Sequence, residues 1–246
     1  MRATGFAVGI VIAVTACAGS PAPQSVRTAQ PAPEPPCPAP KPRVVTPYVP
    51  SPAPSASVAL PEMPRLSPTP MRVGEDFTVW GASYSLRSRF EHGAIAGSAI
   101  SVAGYIVKTN LADAPRCAVH ATGIADAPSC SAPIPTFWIG DEKTSTVADS
   151  IKVMGWASNY AQLYDAVVAY AKRDDARVTD GFWGMEIPNP LPATGAKIRV
   201  RGTYGATFTK ATTGIESDPV MGVITYEAIT ILEPAPARAT LPGMRP

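Results

Sequence analysis

"FWIGDEKTSTVADSIKVMGW", residues 137 to 156, carries the pattern on which the fold turns. Its two ends are short apolar runs rich in aromatic and β-branched residues, separated by a polar, charged stretch. Thr136 to Asp141 and Ser150 to Trp156 therefore read as two strands joined by a loop. Side chains alternate across a strand, so if Phe137 points inward, Trp138 points outward. Asp141 closes the first run, where a carboxylate suits a turn by accepting backbone N–H groups.

Similar segments extend to both sides. Ala99 to Val107 (AISVAGYIV) combines β-branched residues with rough alternation and reads as a strand before this pair. After it, Asn159 to Lys172 (NYAQLYDAVVAYAK) sets Tyr160, Leu163, Tyr164, Val167 and Val168 at helical spacing, with Ser158 or Asn159 available as the cap. A Gly- and Pro-rich loop follows. Lys197 to Tyr204 (KIRVRGTY) then alternates charged with apolar or small residues, and Gly222 to Leu232 (GVITYEAITIL) ends the series. Asp76 to Leu86 is a candidate further strand, or half of a hairpin, ahead of the core.

The order is three strands, a helix and two strands, with glycines in "VAGYIV" and "VRGTY" where strands of a small barrel must bend. In this it resembles the OB-fold, over roughly residues 98 to 232. The resemblance implies a mainly β domain, a five-stranded Greek-key barrel with one helix between the third and fourth strands. The chain departs from that pattern in the Cys-bearing loop after the first strand and the long Pro-rich loop before the fourth. A different small barrel or an open sandwich is the alternative.

The N-terminus reads as an address. Met1-Arg2 precedes an apolar stretch, Phe6 to Val14, that is too short to span a bilayer and has the character of a signal peptide over residues 1–16. Val14-Thr15-Ala16-Cys17 resembles the lipobox of bacterial lipoproteins. That resemblance implies cleavage before Cys17, lipidation of Cys17 and anchoring in a membrane by its acyl chains. With Ala18 next, it implies the outer membrane of the cell envelope, the domain facing the periplasm or the surface.

Residues 18–70 hold 17 of the chain's 29 prolines and no apolar periodicity. The expectation for 17–70 is a disordered spacer behind the lipidated cysteine. Residues 234–246 share its composition and are expected to be an unstructured tail. That leaves 71–233 as one folded domain. This domain has 14 Lys+Arg against 17 Asp+Glu, a net charge of −3. Nucleic-acid affinity rests on Lys and Arg neutralising phosphates, so a nucleic-acid partner is not expected.

Beyond Cys17, Cys37 lies in the spacer, free or in an intermolecular bridge, and Cys117 and Cys130 lie close together in the domain. In an exported protein the last two are expected to form a disulfide. Cys117, His120, Asp126 and Cys130 are also zinc-ligand types, but a disulfide would consume both thiols, so no metal or cofactor is expected. His120 could serve as a general base, yet no serine sits in a G-x-S-x-G elbow, and an enzyme is the lesser alternative. Tyr105, Trp138 and Tyr204, on predicted strands, and Phe182 and Trp183, in the loop before the fourth strand, are the candidate binding residues. The expectation is a lipid-anchored, non-catalytic module that binds an envelope protein or glycan. A passive structural component is the other reading.

Overall fold

A computed structural model describes residues 47, 68–208, 210 and 216–244. The expected signal peptide, the lipidation of Cys17, Cys37 and nearly all of the proline-rich spacer lie outside these residues. The chain is mainly β, with a mixed seven-stranded sheet and few helices.

β1 (Arg72–Val73) and β2 (Asp76–Phe77) form a small hairpin, followed by helices α1 (Val79–Arg87) and α2 (His92–Ile95). Next come β3 (Ser98–Thr109), β4 (Phe137–Gly140), β5 (Ile151–Met154) and helix α3 (Tyr160–Lys172). β6 (Lys197–Gly205) and β7 (Val223–Glu233) complete the sheet. Its order is β1-β2-β3-β4-β5-β7-β6, and β6 pairs back onto β3. Five strands therefore close a ring in which every neighbour is antiparallel except β5 and β7, which run parallel. Closure is uneven. β7 pairs with β6 from Val223 to Glu233, whereas β5 meets β7 only over Lys152 to Met154.

Two differences from the expected five strands concern the segment before β3. The sheet has seven strands, because the β1–β2 hairpin joins it where Phe77 pairs in parallel with Val102. Most of Asp76 to Leu86 is helix rather than strand. Thr78 caps α1 by accepting the Gly81 N–H at 2.9 Å, which gives an acceptor to one of the donors a helix start leaves unpaired.

The ring follows from alternation. Ile100, Val102 and Ile106 of β3 and Ile198 and Val200 of β6 are buried, while their neighbours face outward. Inward positions that meet backbone are glycine. A Cβ on Gly202 would lie 2.2 Å from the Thr225 carbonyl oxygen, and one on Gly104 would lie 2.7 Å from that of Gly140. No other residue permits those approaches.

α3 forms as its periodicity predicts. Asn159 caps it by accepting the Gln162 N–H at 3.0 Å, and Tyr160, Leu163 and Ala166 turn into the core. Burying a side chain such as Leu163 contributes roughly 1.5–3 kcal/mol. Phe137 and Trp156 pack there with ring centroids 5.9 Å apart.

The described residues after Pro234, 235–244, form no helix or strand, but they are not an unstructured tail. Leu241 is only 2% exposed, and Ala235, Ala239 and Met244 pack against the core. These apolar side chains are removed from water by the barrel, which holds the segment in place.

Candidate functional site

Two outward aromatic residues lie on adjacent strands. In β4, Phe137 is fully buried and Trp138 half-buried. In β3, Ile106 points inward and Tyr105 outward. A register shift after Ile106 brings Lys108, rather than Val107, opposite Trp138. The extra residue of such a bulge re-aims the side chains that follow it. On the other side of Trp138, Lys152 of β5 is its direct partner. Lys108, Trp138 and Lys152 thus form one row across three strands, with the Lys108 ammonium 5.6 Å from the indole centroid.

Tyr105 occupies a second row, opposite Gly140 of β4 and Lys197 of β6. The Lys143 and Lys197 ammoniums each lie 5.2 Å from its ring centroid, within range of a cation–π attraction. Hydrogen bonding to the Tyr105 side chain, and then Glu233, raise the Lys197 pKa above its ordinary value. Glu233 approaches both lysines, at 3.9 Å from Lys143 and 3.5 Å from Lys197. Lys152 pairs with Glu216 at 3.1 Å.

Phe182 and Trp183 are held by a residue that composition alone does not single out. Asp180 is fully buried. Its carboxylate accepts the Ser158 N–H and hydroxyl at 2.7 Å each, the Phe182 N–H at 3.0 Å and the Trp183 N–H at 2.8 Å. Gln162 of α3 accepts the Gly181 N–H at 3.0 Å. A buried carboxylate supplied with four donors fixes the loop to the start of α3. Trp183 meets Phe208 edge-on at 5.9 Å and, like Ile134, packs against the buried cluster of Met154, Phe208 and Val223. The loop therefore flanks the Met154 end of β5, two residues along from Lys152, the partner of Trp138. Phe182 remains 74% exposed. The Asp180-Gly181 pair, a turn-forming dipeptide whose carboxylate reaches the N–H groups two and three residues on, is the sequence signal for this turn.

Tyr204 is corrected from binding candidate to core residue. It is fully buried and its hydroxyl donates to the Met221 carbonyl at 2.5 Å. It shares the inward parity of Ile198 and Val200 on β6, and burial raises its pKa well above the usual phenol value.

Cys117 and Cys130 are joined in a disulfide. Both His120 ring nitrogens face acceptors in the same loop, Nδ1 toward the Ala121 carbonyl at 2.9 Å and Nε2 toward Asp126 at 2.5 Å. The loop is fastened to α3 where Thr122 donates to Asp165. Among the described residues, no helix is long and apolar enough to cross a membrane.

No protein-family model matches the chain, and no curated protein matches it. Among solved structures, it is similar to one titled "OBody AM3L09 bound to hen egg-white lysozyme". That match has 14% identity over 58% of this chain and 88% of that one, at a TM-score of 0.25. A second, "OBody AM2EP06 bound to hen egg-white lysozyme", has 13% identity over 58% and 86% at the same TM-score.

Proposed function

We propose that this chain is a lipid-anchored envelope protein that displays an OB-like barrel as a non-catalytic binding module for an envelope protein or glycan. Cys17 is the lipidated residue, and residues 18–70 hold the barrel away from an outer membrane. The OB reading is supported by the closed ring β3-β4-β5-β7-β6, with α3 inserted between its third and fourth strands.

The observation that carries the binding reading is Trp138 facing outward at the centre of a row flanked by Lys108 and Lys152. A large ring at an outward, half-buried position is the kind of anchor that interfaces favour. Tyr105 and the fixed Phe182 loop extend the same surface, and rigid presentation lowers the ordering cost of binding.

Two experiments test the two halves. Labelling cells with an alkyne fatty acid should tag the full-length protein and fail to tag Cys17→Ser; tagging of that variant would remove the anchor at Cys17. Partner capture by the full-length chain should fall with Trp138→Ala, while its melting remains cooperative. Undiminished capture would remove this face.

A further inference from the structure

The lysines of the domain are segregated. Six lie between Met71 and Glu233, and four of them, Lys108, Lys143, Lys152 and Lys197, stand on or beside Tyr105 and Trp138. Two carboxylates answer them: Glu216 pairs with Lys152, and Glu233 is shared by Lys143 and Lys197. Among the described residues, Lys108 has no carboxylate within ion-pair distance. A domain of net charge −3 therefore presents a surplus of positive charge on a face that also presents two outward rings, Tyr105 and Trp138.

Resting on the reading of this face as the binding surface, we propose that its ligand is a carboxylate-bearing glycan chain. Tyr105 and Trp138 are the stacking platforms, and Lys108 is the first anion contact. Pyranose rings have one face lined by C–H groups, which packs on an aromatic ring without losing its hydroxyl hydrogen bonds. The two platforms belong to successive outward positions of paired strands. Outward positions recur every two residues, so the platforms are separated by about 7 Å along the strands. With the roughly 4.8 Å between neighbouring strands added, the platforms lie about 8 Å apart, within the length of a disaccharide unit of an extended sugar chain. Carboxylates carried along such a chain then come within reach of ammoniums on both sides of the rings.

A polyphosphate fits less well. Affinity for nucleic acid grows with each phosphate neutralised, and Glu216 and Glu233 stand among the lysines here. Exposed ammonium–carboxylate pairs contribute modestly, so binding should be weak, salt-sensitive and dependent on the rings.

The test titrates the full-length protein with a short oligogalacturonate, with the same oligosaccharide methyl-esterified, and with oligothymidylate. The acid should bind at least about tenfold more tightly than its ester. Lys108→Met should weaken the acid by about two- to fivefold and leave the ester unchanged. Trp138→Ala should abolish binding of both. Equal affinity for acid and ester, lost in Trp138→Ala, would overturn the anionic selectivity while keeping the face. Binding untouched by Trp138→Ala would overturn the face itself. Preference for oligothymidylate, or binding of none of the three, would overturn the glycan assignment.

Discussion

Asp141 and Val79 lie 62 residues apart in the chain, and the carboxylate of the first accepts the backbone N–H of the second at 2.8 Å. Its other oxygen accepts the Trp80 N–H, also at 2.8 Å. The end of β4 therefore completes the start of α1, satisfying two donors that the helix cannot pair internally and placing a negative charge at the positive end of its dipole. Asp141→Ala should destabilise the domain by about 1–2 kcal/mol. Asp141→Asn should cost less, since one oxygen still accepts. Equal, negligible losses for both in urea unfolding would show that this bond does not hold α1.

Asp180 should be the more costly aspartate. Asp180→Ala leaves four donors without their acceptor in a buried site, and a loss of about 3 kcal/mol or more follows. Phe182→Ala, at an exposed position, should stay within about 0.5 kcal/mol. Denaturant unfolding separates the two. Amide exchange at Phe182 and Trp183 should accelerate in Asp180→Ala; unchanged exchange would mean that the loop is held by something else.

Gly202→Ala tests the close approach inside the ring. The added methyl meets the Thr225 carbonyl oxygen and the Ile224 side chain, so β6 and β7 must separate locally, at a cost of about 1–3 kcal/mol. A variant as stable as the parent would contradict the tight β6–β7 register.

His120 should titrate above 6.5, because the Ala121 carbonyl and then Asp126 favour the protonated ring. A pKa raised by folding stabilises the protein fully below the unfolded value of 6.5, and that contribution disappears as pH rises through the folded value. Histidine NMR titration should show the raised midpoint, and Asp126→Asn should lower it. A midpoint at or below 6.5 would contradict the paired loop.

Much of this arrangement is legible in the sequence because alternation is a local property. KIRVRGTY fixes the two faces of β6, and the parity that sends Ile198 and Val200 inward also sends Tyr204 inward. Tyr204 is thus better read with its own strand than as one more aromatic. The helical spacing of Tyr160 and Leu163 likewise gives α3 directly. What the sequence hides is supplied from a distance. The α1 segment alternates enough to suggest a strand, and the carboxylate that assists its cap comes from Asp141. Lys108 faces Trp138 only because the pairing of β3 with β4 shifts after Ile106. Leu241 lies in a stretch that looks like spacer by composition, yet the barrel buries it.

The most direct measurement is in-cell photocross-linking of the full-length protein from a benzophenone side chain placed at position 108, beside Trp138, with position 230 on β7 as the reference. The account predicts a recurrent adduct from position 108 that disappears when Trp138→Ala is added and is absent from position 230. The same adducts from both positions, or an adduct from 108 that survives Trp138→Ala, would contradict the assignment of this face as the binding surface.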